Sequence, residues 1–405
     1  MDLSRENSGV PHLSPLQGIR VLDFGRYVAG PYCTTLFAEF GADVIRIEPP
    51  GGADDRNLAP VMATGEGALF MHVSRNKRSL TLNLGDTAGR AIASQLIATA
   101  DIVVTNMPRA ALPSSGLDYE TLRRAKPDII AVNITAFGNV GPWSDRPGFD
   151  SVGQAMCSSV HMSGEPDHPY RASVNWVDYA TAIYGAFGAI VALQERRRSG
   201  RGQEVSASLL ATALSFQNPV LIDQAMLQSN RQPLGNRGFA SGPTDLFRCQ
   251  DGWLICHVVG NGIFKRWTRV LGAPELVGDP RFANDRLRGE NGAILSHRMT
   301  DWCAQRTRQQ ALDELAAAKV PAAPVLSPPE TLAHPQVHAL NLLQPIVYRG
   351  QVMPPSLARV PIELSVTPGS IRTPPPELGQ HSEEILAEMG YSAAATQRFR
   401  EANIV

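Results

Sequence analysis

The chain has 405 residues, enough for two domains, and its 37 Lys and Arg against 38 Asp and Glu leave a formal net charge of −1. That balance lacks the basic surplus of a nucleic-acid binder, so no nucleic-acid partner is expected. The longest apolar run, residues 179–193, is too short and too rich in Gly and Ala for a membrane span, so no membrane partner is expected either. The five cysteines (Cys33, Cys157, Cys249, Cys256, Cys303) are odd in number and scattered, with no C-x-x-C. They read as free thiols in a reducing cytoplasm, and no metal site is expected.

Residues 1–15 are polar, with no apolar signal core, and read as a disordered lead. GIRVLDF at 18–24 reads as a buried parallel strand, broken by Gly25 and by Gly30 and Pro31. Residues 32–40 read as a helix ending at Gly41, and DVIRIE at 43–48 as a second strand. Strand, glycine turn, helix and strand make a βαβ unit of Rossmann-like type. The turn itself, GRYVAGPYC, has no G-x-G-x-x-G, which disfavours a nicotinamide dehydrogenase. Next come the cluster Asn76, Lys77 and Arg78, a strand-like LTLNL, a helix at 87–99, a strand at 101–106, a helix at 119–125 and a strand at 128–137.

Ligands of an open parallel sheet bind beyond the C-terminal strand ends. Asn106, Phe137 and the 25–30 loop would lie along that edge. Asn76, Lys77 and Arg78 would sit nearby if their segment folds back, with cations for phosphate groups.

A loop at 141–150 and a helix at 151–158 lead to the stretch on which the chain turns. Asp178 precedes an uncharged run, 179–193, in which Ala and Gly recur. A helix apolar on every side reads as buried, and small residues let neighbouring elements approach it. Arg196, Arg197 and Arg198 complement its C-terminal dipole, and Gly200 stops it. Asp178 is then either an N-cap or a carboxylate kept ionised at a buried helix end, hence a nucleophile, and spacing alone does not choose. Residues 203–208 alternate like a strand, and 207–228 continue as a helix. LFRCQ-DG-WLICHVV at 246–259 reads as a hairpin, with helices at 263–271, 291–304 and 308–318. VPAAPVL at 320–326 is an extended crossover, 337–379 is Pro-rich and strand-poor, and 381–389 is helical.

Taken together these stretches resemble the family III CoA-transferases, the formyl-CoA and carnitine CoA-transferase group that also includes α-methylacyl-CoA racemases. The resemblance rests on LQGIRVLDF, FGADVIRIEPPGG, NKRSLTLNL, DIVVTNMPRAAL, RPGFDSVGQA, SGRGQEVSASL, DGWLICHVVGN, KVPAAPVL and LGQHSEEIL, in that order over nearly the full length. It implies an α/β fold: a discontinuous Rossmann-like large domain (residues 1–220 with a returning segment, 326–405), a smaller α+β domain (221–325) and an interlocked dimer. It implies Asp178 as the catalytic residue, attacking an acyl-CoA thioester to give an anhydride and then an aspartyl-CoA thioester. It places coenzyme A against Tyr27, Val28, Asn76, Lys77, Arg78, Asn106, Met107 and Arg109.

On this reading coenzyme A thioesters are substrates, with no tightly bound cofactor. The partners are an acyl-CoA and a small carboxylic acid, in a homodimer or with a related second subunit. The stretches RYVAGPYC and NKRSLTL look most like transferases that use succinyl-CoA with dicarboxylates such as malate, citramalate or itaconate. Arg26, His161, Arg171 and Arg237 are the candidates for a second carboxylate, each also readable as an ordinary solvated side chain. The alternatives are an α-methylacyl-CoA racemase and a non-catalytic CoA-binding subunit. Family racemases carry a GHD triplet whose histidine moves the proton, and this chain has Gly148, Phe149 and Asp150 there.

Overall fold

The computed structural model describes residues 14–405, so most of the expected polar lead lies outside the described residues. The chain divides into two compact units: Met1–Cys157 with Ser173–Asn218 and Gln336–Val405, and Ser158–Ala172 with Pro219–Pro335.

The first unit is built on six parallel strands: β1 (Arg20–Asp23), β2 (Asp43–Glu48), β3 (Lys77–Thr81), β4 (Ile102–Thr105), β5 (Ile130–Thr135) and β6 (Glu204–Ser208). Their order is β3-β2-β1-β4-β5-β6, so the winding reverses between β1 and β4. Val21 pairs with Val44 on one side and Ile102 on the other. Both faces are covered, which is why the strands read as continuous apolar runs. Val21, Val44, Val104, Val132 and Ile134 enter one core, with α1 (Ala29–Glu39) and the long helix described below. Leu22, Ile45, Val103 and Ala131 enter the other, with α2 (Thr87–Ile97), α3 (Tyr119–Ala125) and the C-terminal Ile385, Leu386 and Ile404.

After α4 (Asp150–Met156) comes α5 (Trp176–Ser199), then α6 (Leu209–Leu227). Small residues let α5 lie flat on the sheet: a Cβ at Gly188 would stand 2.6 Å from Val205 Cγ1. The expectation that α5 is buried on every side is corrected, however. Val177, Thr181, Ala182, Gly185, Ala186 and Ala189 face the core, whereas Ile183, Tyr184, Ile190 and Val191 are exposed and Phe187 is 66% exposed. Helical spacing puts these two sets on opposite faces. By length and composition α5 could cross a membrane, but its small-residue face is part of the first unit's core.

Residues 337–379 also differ from expectation. They contain an antiparallel ribbon, Leu343–Tyr348 with Gln351–Ala358, despite Pro345, Pro354 and Pro355. A two-stranded ribbon has only edge strands, where proline is tolerated, and the register shifts between Gln344 and Ile346, around Pro345.

The second unit is α+β. β7 (Thr244–Cys249) and β8 (Gly252–His257) form the hairpin, and β9 (Ala322–Pro324) joins β8 antiparallel. Helices Gly260–Val270, Gly292–Ala304 and Arg308–Ala317 pack around Phe247, Trp267, Met299 and Leu315. All five cysteines are buried, and none is in a disulfide.

Candidate active site

At a winding reversal the two loops leaving β1 and β4 diverge and open a crevice. A cavity of about 560 Å³ lies there, lined by Arg26–Ala29 after β1, Asn106–Ala110 after β4 and Ile134–Ala136 at the end of β5. Residues 144–149, Asp178 and Leu209 complete its wall.

The turn after β1 is held tightly. Tyr27 has φ 59°, a left-handed conformation that is costly for a residue with a side chain. Asp55 Oδ2 accepts from Tyr27 N at 2.8 Å, and the Asn106 amide both accepts from Arg26 N and donates to Arg26 O at 2.8 Å. Gly25 and Gly30 pass so close that a Cβ on Gly30 would lie 2.9 Å from Gly25 Cα. Asn106 thus serves the wall through the turn that it pins.

Asp178 is the third residue of α5 and only 8% exposed. It is not the cap: the N-cap position is Asn175, with no side-chain cap bond. Asp150, from the start of α4, does that work from outside the helix. Its Oδ2 accepts from Val177 N at 2.7 Å and from Asp178 N at 3.1 Å, and its Oδ1 accepts from Gln154 Nε2. These N–H groups are therefore engaged before Asp178 can use them. The Asp178 carboxylate itself makes no hydrogen bond among the described residues.

The expectation that the helix end keeps Asp178 ionised is corrected accordingly. Burial, and then the charge of Asp150, push its carboxyl up to about 7. Phe149 lines the same cavity where the racemase triplet has histidine; its ring meets Tyr27 edge-on at 5.3 Å, and it is 59% exposed.

Of the expected site residues, Tyr27, Val28, Asn106, Met107 and Arg109 line this cavity with Asp178. Asn76, Lys77 and Arg78 do not. Asn76 latches the returning C-terminal segment, donating to Ser370 O and accepting from Arg372 N and Thr373 N. Lys77 Nζ lies 2.8 Å from Asp23 Oδ2 and 2.7 Å from Pro31 O, with neither side chain of the ion pair exposed. Burial pulls its ammonium down to about 8, so it stays protonated at neutral pH. Arg78 pairs with Asp43, Glu384 and Glu388. The physical reason is strand direction: all three stand at or before the start of a parallel strand, away from its ligand-binding end.

Arg146 was missed by the sequence reading. It lines the cavity with its guanidinium stacked over Trp143, 4.0 Å from the ring centroid. Neither Arg109 nor Arg146 makes an ion pair among the described residues. Of the candidates for a second carboxylate, Arg26 lines this cavity, whereas His161 lines a separate recess of about 280 Å³ within the second unit. Arg171 and Arg237 line neither.

The chain matches CoA-transferase family III over residues 16–382. It is 33% identical to the succinyl-CoA–L-malate CoA-transferase beta subunit of Chloroflexus aurantiacus, covering 93% of this chain and 94% of that one. It is 35% identical to the succinate–glutarate CoA-transferase of Agrobacterium fabrum, covering 93% and 96%. Among solved structures, a CaiB/BaiF family protein from Brucella suis superposes with a TM-score of 0.81 at 31% identity, over 93% of this chain and 99% of that one.

Proposed function

The chain belongs to CoA-transferase family III, and on that premise we propose that it moves coenzyme A from succinyl-CoA to a small dicarboxylic acid, with Asp178 as the nucleophile. The observation that carries this reading is a buried carboxylate, free of side-chain partners, at the cavity where the sheet reverses. The names of the relatives, which pair succinyl-CoA or succinate with malate or glutarate, support the substrate class.

An Asp178 oxygen attacks the thioester carbon, the C–S bond breaks, and coenzyme A leaves as thiolate, giving a mixed anhydride. The thiolate attacks the Asp178 carbonyl carbon, releasing the donor acid and leaving an aspartyl-CoA thioester. The acceptor carboxylate displaces the thiolate again to form a second anhydride. Attack of the thiolate on the acceptor's acyl carbon restores Asp178 and yields the new thioester. Every step moves an acyl group between oxygen and sulfur, and no C–H bond breaks. Anhydrides hydrolyse, so a half-buried pocket with apolar walls at Val28, Met107, Phe149 and Leu209 suits them.

Arg109 and Arg146 are the cations we assign to the coenzyme's phosphates, with Tyr27 and Val28 supplying wall contacts. The exposed face of α5, with Phe187 and Val191, supports a homodimer that covers it. Five buried thiols outside any disulfide suit a reducing cytoplasm.

The experiment is a panel of free acids with succinyl-CoA and the purified chain alone, run in deuterated water. Transfer to dicarboxylates without α-deuterium in the recovered thioesters is expected. Rapid α-deuteration without transfer would restore the racemase reading, and inactivity of the chain alone would favour a paired subunit.

The pH profile is a further expectation. Only ionised Asp178 attacks, and its carboxyl titrates at about 7. Activity should therefore rise with pH through about 7 and level off above it. Asp150→Asn keeps an oxygen for the two N–H groups and removes the charge, so the rising limb of kcat/KM should move to lower pH. An unmoved limb would mean that Asp150 does not tune Asp178.

A further inference from the structure

We propose that Arg26 binds the distal carboxylate of the acyl group and so selects dicarboxylic over monocarboxylic substrates. This rests on the transferase reading above and adds to it the residue that sets the acid's class.

Three buried carboxylates, Asp23, Glu48 and Asp55, gather at the C-terminal ends of β1 and β2 and in the segment that follows β2. Four cations face them: Lys77 on Asp23 at 2.8 Å, Arg56 on Glu48 at 2.6 Å, Arg46 on Asp55 at 2.8 Å and on Glu48 at 3.2 Å, and Arg26. Of these four, only Arg26 has no ion pair among the described residues. The cluster therefore carries one uncompensated positive charge, on the one of these cations that lines the cavity holding Asp178. Burial, and then Arg46, lower the Arg26 pKa, as expected of a guanidinium without a carboxylate of its own. A half-buried charge without a counter-ion is costly, and a substrate anion would relieve it.

The guanidinium is also oriented. Nη1 donates to Phe24 O at 3.3 Å, Gly25 O at 2.8 Å and Ile47 O at 3.1 Å, while the Asn106 amide holds the Arg26 backbone from both sides. Nε and Nη2 have no partner among the described residues and are not enclosed. That free edge is the side-on fork that takes both oxygens of one carboxylate. The coenzyme's phosphates have Arg109 and Arg146, two exposed cations of the same cavity. A single half-buried fork suits a small, single carboxylate instead.

The test measures exchange of labelled acid into its own CoA ester. The wild-type protein should exchange succinate into succinyl-CoA at least about 100-fold more efficiently than butyrate into butyryl-CoA, since a site built for a polar group is left unpaired by the analogue lacking it. In Arg26→Gln this ratio should collapse to within about tenfold, and Arg26→Lys, which keeps charge without the fork, should fall between. If both exchanges fall together and the ratio holds, Arg26 serves the coenzyme or the fold, and the proposal is overturned.

Because Arg26 Nη1 ties three carbonyls, a second measurement needs only wild-type protein. Succinamate, equal in length but with a neutral amide, should be accepted at least about 100-fold less well than succinate, and indifference between the two overturns the assignment. Exchange of neither acid by the wild-type protein would sink the transferase reading itself, a result distinct from a ratio that fails to change.

Discussion

Asp178→Asn is expected to lose turnover by at least about a thousandfold while becoming more stable than the wild-type protein above pH 7. The loss follows because an amide oxygen cannot attack a thioester to form the anhydride. The stability gain follows from burial. In the unfolded chain this carboxyl has its ordinary value of 3.8, and in the fold it is raised to about 7. Below 3.8 both forms hold the proton and nothing is lost. Between the two values the unfolded chain releases the proton and the folded one keeps it, so stability falls as pH rises and levels off above about 7. At about 1.36 kcal/mol per pH unit the cost is on the order of 4 kcal/mol at most.

Asparagine is neutral throughout and avoids that cost. Thermal melts of both proteins at pH 4 and pH 8 should show the variant gaining on the wild-type protein as pH rises. Asp178→Ala should be equally inactive, and helix capping is not at stake because Asp150 holds the N-terminus of α5. Near-normal turnover in either variant would dismiss Asp178 as nucleophile. A stability difference flat in pH would mean that the buried carboxyl is not held neutral.

The parts of this fold that were legible in sequence are those set by local pattern. Apolar runs at 18–24, 43–48, 101–106 and 128–137, each closed by Gly or Pro, mark parallel strands and their C-terminal loops, and those loops carry Tyr27, Asn106 and the wall of the cavity. Asp178 stood out because a lone acid precedes an uncharged helix. What stayed hidden depends on partners distant in sequence. The role of Asp150 as cap of another helix needs a contact across 28 residues. The two-faced burial of α5 escaped because both faces are apolar, and only packing against the sheet and α1 decides which of them enters the core. The bonding of Asn76 joins residues about 294 positions apart, which no local pattern encodes. Charge alone made Lys77 and Arg78 look like phosphate ligands, because solvated, paired and ligand-binding cations share one letter code.

Lys77→Ala should therefore show itself in stability rather than in coenzyme affinity. The Lys77–Asp23 pair is fully buried, and Asp23 is further held by Thr34 Oγ1 at 2.8 Å and Gly25 N at 2.9 Å. Burial pushes the Asp23 carboxyl up, but Lys77 and then Arg46 outweigh it and hold it below its ordinary value. Deleting the ammonium leaves a buried carboxylate without its counter-ion, at a cost of about 3–5 kcal/mol, while the Pro31 carbonyl keeps the hydroxyls of Thr34 and Thr35. Removing both charges, as in Lys77→Met with Asp23→Asn, should recover much of that loss, since the penalty comes from the unpaired partner rather than from losing an attractive pair. Urea denaturation of the two variants reads this directly, and KM for the CoA ester, measured on the folded fraction, should change by less than about threefold, because the cavity that holds Asp178 is not lined by Lys77. A variant that keeps its stability and instead raises KM by tenfold or more would return Lys77 to the coenzyme site and would require the strand to open there when substrate binds.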